Sequence, residues 1–520
     1  MTSFIDPLRH RLTQALTQFN RDLPRNPHVH LSASAAHEDR RVFSVAPLIA
    51  QPEPQNLGRL KDLVSQRYGM LDLLDIILEA DRLVDFTRFF PHSGTKEVRS
   101  RDALRPLLLL ALFAEGTNTG SKRVATAHQR YGFHELLYVR KHYFSVDALR
   151  LANAAVVNKI LALRNPHLWG EGHSCASDGK RFESWRQNLM TEWHVRYGKP
   201  GVMVYWHVER KSACIYSQLK TCSSSEVAAM IEGVLRHCTE MEIDKQYVDS
   251  HGQSAVAFAF CHLLGFQLLP RLKAIHRQRL YRPEAGQPEA YPHLQPVLSR
   301  PIRWDLIAQQ YDPMVKYATA LRLGTAETEA IRRRLTRQTV QHPTYRALIE
   351  RGNARRTIFL CRYLRLLGLR REIQEGLNVI ENWNSANDFI LFGHGGEMAT
   401  NRREDQELMM LTLHLLQNCL VFINTLLIQQ VLKEPAWEQR LTADDRRGLT
   451  PLMYSHISPY GTFLLDMRTR LDLEQPEESA QAKPEDGAAP ASGGVVRPPR
   501  RARAQVPQLG LFDAAPEPHH

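Results

Sequence analysis

Val202, Val204, Trp206 and Val208 stand at every second residue, a period that turns side chains to one face only in a pleated strand. Much of the remaining apolar spacing is helical, so this stretch and the strands near it restrict the chain to an α/β fold. Ala213-Cys214-Ile215-Tyr216 follows the charged turn Glu209-Arg210-Lys211, and 201–219 reads as a β-hairpin. Ser223 to Ser225 cap a helix through Val227, Met230, Ile231 and Leu235. The strand Tyr247-Val248 delivers Asp249, a helix occupies Val256 to Leu264, and Phe266-Gln267-Leu268-Leu269 is a further strand. With Cys175-Ala176-Ser177-Asp178 ahead of them, the order β, β, β, α, β, α, β calls for a mixed sheet with flanking helices.

Around this sheet the chain divides by texture. Residues 1–60 hold Pro24-Arg25-Asn26-Pro27 and Gln51-Pro52-Glu53-Pro54 and read as a linker or arm. Residues 61–170 read as an all-helical domain. Leu71, Leu73, Leu74, Ile76 and Ile77 share a helical pattern, Leu104 to Leu112 run up to Gly116 as a C-terminal cap, and Ser145 caps a helix reaching about Arg164. A sheet-bearing domain spans 171–473, interrupted at about 274–375 by a helical insertion rich in arginine, including Arg355 and Arg356. Leu408 to Leu432 is apolar but carries His414, Gln417, Asn418, Asn424, Gln429 and Gln430, which lipid would penalise, so it reads as a buried helix. Residues 474–520 collapse to Pro, Ala, Gly, Glu, Gln and Arg and are expected to be a disordered tail.

Lys and Arg number 67 against 55 Asp and Glu, a net charge of +12 that favours a polyanionic partner over a membrane or an acidic-surface role. Seven cysteines without a C-x-x-C pair indicate neither a zinc knuckle nor a disulfide framework, which fits a reducing cytoplasm. Asp6, Arg9 and Arg11 with no apolar stretch behind them argue against a secretory signal.

Asp178 and Asp249 each end a strand-like run and are 71 positions apart. Neighbouring strand ends would bring the two carboxylates together as hard oxygen ligands for a divalent ion. Two-metal phosphoryl transfer asks for about three such groups around ions roughly 3.5–4 Å apart. An aspartate at a strand end is more commonly a turn or cap residue, so the pair alone is a weak signal.

Gly116-Thr117-Asn118-Thr119-Gly120, Trp169-Gly170, Cys175-Ala176-Ser177-Asp178, Asp249-Ser250-His251-Gly252, Leu264-Gly265-Phe266, Pro270-Arg271-Leu272-Lys273 and Leu377-Asn378 together resemble, in order, the transposases of the Tn-three family of replicative (class II) transposons. The resemblance covers roughly residues 1–473. It implies a DDE recombinase with an RNase H-like mixed sheet, in which a helical insertion separates the second aspartate from a glutamate. Asp178 and Asp249 fall on the family's two aspartates. The third carboxylate is Glu381, where the family pattern Leu-Asn-x-Gly-Glu aligns and is expected to open a helix against the sheet, or Glu397 in Gly395-Gly396-Glu397. Ile380 stands where the family has Gly, and Ile423-Asn424-Thr425 where it has Trp-Asn-Thr.

The resemblance also implies two Mg²⁺ ions, for which Mn²⁺ can substitute, held by Asp178, Asp249 and Glu381. Partners would be DNA, both transposon ends and target, and a second copy in a homodimer that handles two ends together. His251 either positions a phosphate near the metals or bonds a nearby carbonyl. Arg271, Lys273, Arg277 and Arg279 leave the last strand and, with Arg355 and Arg356, are candidates for DNA phosphates. Family members are about twice this size, their first half being assigned to end recognition, so end recognition here is either lost by truncation or supplied by another polypeptide.

In the tail, Gln508-Leu509-Gly510-Leu511-Phe512 resembles the Q-L-x-L-F peptide by which bacterial proteins dock on the replication sliding clamp. Leu509, Leu511 and Phe512 would enter an apolar groove and Gln508 would anchor by hydrogen bonds. The function implied is Mg²⁺-dependent strand cleavage and 3′-hydroxyl strand transfer in a bacterial cytoplasm. The alternatives are a non-catalytic subunit that binds or inhibits a full-length partner, and an RNase H-like nuclease that cuts without joining.

Overall fold

The computed structural model describes residues 4–473 except 35–36, 95–98, 129, 171, 186–189, 195–197, 287, 332–341 and 399. The peptide Gln508–Phe512 therefore lies outside the described residues, as does the side chain of His251.

The alternating stretch forms the centre of a six-stranded mixed sheet. Its strands are β1 (Ser174–Phe182), β2 (Glu192–His194), β3 (Lys199–Glu209), β4 (Cys214–Lys220), β5 (Lys245–Val248) and β6 (Gln267–Pro270). β3 pairs antiparallel with β1 on one side and with β2 and β4 on the other. β5 pairs parallel with β1, and β6 parallel with β5. The sheet thus changes from antiparallel to parallel at β1. Val202, Val204, Trp206 and Val208 are all fully buried, as a strand covered on its two faces requires.

The helices that matter for the site are α1 (Asp6–Asp22), α2 (Leu73–Val84), α3 (Arg101–Gly116), α4 (Val146–Leu163), α5 (Glu226–Arg236), α6 (Ala255–Leu264), α7 (Pro343–Arg365), α8 (Leu367–Ile390) and α9 (Arg403–Leu432). Ser145 and Ser225 cap α4 and α5 by accepting from the Ala148 and Ala228 amides. α2, α3 and α4 pack around α9, whose apolar run is buried throughout. Several polar groups of α9 find partners inside the protein: His414 meets the Ser217 hydroxyl at 2.9 Å and the Cys214 carbonyl at 2.8 Å, and Asn424 donates to the Pro451 and Met453 carbonyls. All seven cysteines are free thiols.

One local expectation is corrected and another gains detail. Gly116 closes the last turn of α3 without a left-handed backbone, and it is the close approach of Leu416 that leaves no room there for a Cβ. The segment 1–60, read as a linker or arm, carries α1 and an antiparallel hairpin, Val29–Ser34 with His37–Val45. Leu8, Leu12, Leu16 and Phe19 recur at three- and four-residue spacing and are buried against α7. The polar prolines around this stretch mask that stripe in a composition reading.

Candidate active site

The parallel register of β1 and β5 pairs Ala176 with Tyr247 and ends with Ser177 opposite Val248, and Asp178 and Asp249 are the residues that follow this last pair. Adjacent strands lie about 4.8 Å apart, and residues paired in this register project to the same face. Asp178 and Asp249 thus follow the last paired residues of two adjacent strands, where β5 ends and the sheet changes from antiparallel to parallel pairing.

Alternation fixes which face this is. Ser177, Tyr205 and Gln246 share the opposite face, where the Ser177 hydroxyl meets Tyr205 Oη at 3.2 Å and accepts from Gln246 Nε2 at 2.8 Å. His207, two residues beyond Tyr205, packs there against α5 and the Met230 carbonyl. On the aspartate side lie Tyr247, Trp206 and Lys180, all covered by α8. Tyr247 Oη donates to Glu372 at 2.7 Å, and its ring lies so close to Gly376 that a Cβ there would fall 2.6 Å from it. Trp206 meets Trp383 edge to face at 5.9 Å, and Lys180 Nζ reaches Asp388 at 2.6 Å and the Asn384 carbonyl.

These contacts set the path of α8 across the face, from Tyr247 at residue 376 to Lys180 at residues 384 and 388. Glu381 is exposed and lies one turn before Asn384 and two turns before Asp388, on their stripe of the helix. Asp178 lies two residues before Lys180 on the same face of β1. Glu381 sits in the interior of α8 rather than opening a helix, because nothing between Leu367 and Leu377 breaks the turn and Gly376 is held by Tyr247.

Glu397 sits elsewhere. The Met398 amide donates to the Glu183 carbonyl at 2.9 Å, and Ser184 bridges to Met398, which ties this loop five residues past Asp178. At the rise of a strand that is roughly 16 Å further along. The loop is clamped by Asn118, whose Nδ2 donates to the carbonyls of Gly393 and Glu397 at 3.0 and 2.7 Å.

Asp249 is engaged by Arg271, whose Nη2 is 3.0 Å from Oδ1. Burial alone would raise the Asp249 carboxyl, but the Ser250 amide, Arg271 and Lys273 together hold it below its ordinary value. Arg271, expected to face DNA, thus turns onto a carboxylate. Lys273 and Arg277 are exposed, while Arg279, Arg355 and Arg356 are half-buried, with Arg356 donating to Gln278. Asp178 is half-buried and its Oδ1 accepts from the Gly179 amide at 2.8 Å.

Carboxylates at 178 and 249 are hard oxygen donors of the kind a divalent cation takes, but the Arg271 guanidinium on Asp249 competes with such an ion. Among the described residues, however, no three His, Cys, Asp or Glu side chains converge as a metal-holding group. Lys180 and Asp388 were missed in the sequence. The alternation in Ser177-Asp178-Gly179-Lys180 already put Lys180 beside Asp178, but nothing local named its partner 208 positions away.

The family model for the Tn3 transposase DDE domain matches residues 75–463. The chain is 25% identical over 411 residues to the transposase for transposon Tn1546 of Enterococcus faecium, covering 79% of this chain and 41% of that protein. It is 29% identical over 425 residues to the transposase for transposon Tn2501 of Escherichia coli, covering 78% and 40%. The transposase for transposon Tn501 of Pseudomonas aeruginosa matches at 26% over 424 residues, covering 81% and 42%. The chain spans about two fifths of the length of these curated relatives.

Proposed function

The chain belongs to the Tn3 transposase DDE domain family, and from that premise we propose that it carries the site for DNA strand cleavage and 3′-hydroxyl strand transfer. The observation that carries the reading is the parallel register of Ser177 with Val248 under α8, which leaves Asp178 and Asp249 next along two adjacent strands. The mixed sheet, helical on both faces and parallel beyond β1, supports an RNase H-like fold. Asp178 and Asp249 would hold the ions, with Glu381 as the third carboxylate because α8 carries it along the aspartate face. These carboxylates would hold Mg²⁺ or Mn²⁺, which when bound would supply positive charge for phosphoryl transfer. The chain's own part is to fix the carboxylates, which Lys180 and Tyr247 do by anchoring α8 at both sides of Glu381. Exposed Lys273 and Arg277 follow β6 and would meet DNA phosphates.

The test is strand transfer of pre-nicked transposon ends into a target plasmid in Mg²⁺ or Mn²⁺, with native gel assays for DNA binding and for pairing of two ends by a homodimer. Joining that Asp178→Asn and Asp249→Asn abolish, with DNA binding intact, supports the proposal. Cutting without joining would make the protein a nuclease. A second reading, a subunit that binds or restrains a partner transposase, is favoured by the lack of a converged third carboxylate among the described residues. Under it the same two substitutions leave inhibition of the partner unchanged.

The Gln508–Phe512 peptide supports recruitment of the replication sliding clamp, a partner that replicative joining would use. A fluorescent peptide spanning 505–514 should bind bacterial clamp and lose binding on Phe512→Ala. Absence of binding removes the clamp from the proposal and leaves the carboxylate site untouched.

A further inference from the structure

We propose that Arg351, Arg355 and Arg362 of α7, with Arg11 of α1 and His262 of α6, form a phosphate-binding site where these three helices meet. The three α7 residues fall on one stripe of the helix, at intervals of four and seven. α7 packs against both α1 and α6, which brings Arg11 and His262 to that stripe. Arg362 and Arg11 are exposed, Arg355 is half-buried and Arg351 is only 6% exposed, so the charge runs from the surface inward.

What makes the group a site rather than a solvated charge run is the state of its α7 arginines. Arg351 Nη2 lies 2.9 Å from His262 Nδ1, yet its Nε and Nη1 are buried without a hydrogen-bond partner among the described residues. The charges that act on Arg355 come from Arg11, Arg351 and Arg362, all of them cations. Among the described residues none of the three α7 arginines makes an ion pair with a carboxylate, whereas Arg300 on the same insertion is fully engaged by Glu350. Burial pushes Arg351 down to about 10, and burial with the neighbouring arginines does the same to Arg355. Burial and the same arginines hold His262 neutral.

Buried guanidinium donors left unpaired are costly, and like charges crowded together add to the cost. An anion with several acceptor oxygens removes both penalties at once, and guanidinium forks match phosphate oxygens in pairs. The phosphate is either a backbone diester of duplex DNA or a free phosphate group, since both present the same oxygens. The site stands apart from Asp178 and Asp249 and does not depend on their role.

The experiment is thermal unfolding of the full chain in inorganic phosphate against chloride at equal ionic strength. Phosphate should raise the Tm, and Arg355→Gln should abolish the rise while leaving the phosphate-free protein at least as stable, because an uncompensated charge is gone. Arg362→Gln, at an exposed position that tolerates change, should weaken phosphate about tenfold and serves if Arg355→Gln does not fold. Asp178→Asn should respond to phosphate like the wild type, which separates this site from the carboxylate site. No rise in phosphate, or an equal rise in the wild type and Arg362→Gln, overturns the proposal. Anisotropy with a duplex oligonucleotide then assigns the source. Weaker DNA binding by Arg362→Gln, with phosphate competing, identifies a backbone phosphate, and unchanged DNA binding alongside the lost Tm response identifies a free one.

Discussion

Arg271 donates from Nε to Asp249 Oδ1 at 3.1 Å and holds its Nη2 3.0 Å from the same oxygen, so a cation already rests on one of the two strand-end carboxylates. Pro270 ends β6 and Arg271 follows it directly, with its amide bonded to the Val248 carbonyl at 2.9 Å. The backbone pairing of β5 and β6 therefore carries the guanidinium to Asp249, and the ion pair is a consequence of strand register.

Arg271→Met is expected to cost about 1 kcal/mol at pH 7, a modest value because the arginine is 40% exposed. Asp249 is held below its ordinary value, so its stabilising contribution is present above about pH 4 and disappears as pH falls through the folded value. Urea unfolding at pH 7 and pH 3 checks this, since the cost of the substitution should shrink at the lower pH. Removing the competing guanidinium should also tighten Mn²⁺ binding about fivefold, measured by electron paramagnetic resonance.

Three buried histidines set a second pH dependence. Burial pushes His207 down to about 3 and His414 and His456 to about 4, so all three are neutral in the fold. In the unfolded chain they take up protons near pH 6.5. The unfolded state then binds more protons, and stability falls as pH drops from about 6.5 towards 4, by up to about 1.4 kcal/mol per pH unit for each histidine. His414→Gln should flatten that slope by one histidine's share, read from urea midpoints at pH 7, 6 and 5.

The sheet was legible because a two-residue period is a local signal. The hairpin 201–219, the strand at Tyr247 and the serine caps of α4 and α5 all follow from neighbours in sequence. The arm at 1–60 showed short helical patterns, but where its apolar stripe packs was not legible, since the partner is α7, more than 300 positions away. Arg271 was read as a surface cation for the same reason. Charge tells that a side chain needs a partner, but only the register of β5 with β6 says that the partner is Asp249.

Gly376 tests how closely α8 must lie on the sheet. A Cβ there would fall 2.6 Å from the Tyr247 ring, so Gly376→Ala forces α8 away from β5 and should cost on the order of 1–3 kcal/mol. Glu381 rides on the same helix five residues later. Strand transfer should consequently fall by more than the loss of folded protein explains, with circular dichroism and a joining assay run on the same samples.

The two candidate glutamates separate by the elements that carry them. α8 is fastened at Tyr247 through Glu372 and Gly376, and at Lys180 through Asn384 and Asp388, so Glu381 moves only within what those anchors permit. Glu397 belongs to a loop fastened to Glu183 and Asn118, well past the aspartates along β1. Glu381→Gln should therefore lower strand transfer at least about a thousandfold, as loss of a metal-holding carboxylate does, with little change in stability because the side chain is exposed. Glu397→Gln should retain activity within about tenfold. Asp388→Asn should fall between the two, since it loosens the Lys180 anchor without removing a ligand. Single-turnover joining by the three variants at saturating Mg²⁺ and again in Mn²⁺ decides the order, and a Glu397→Gln protein less active than Glu381→Gln would move the third carboxylate to the loop.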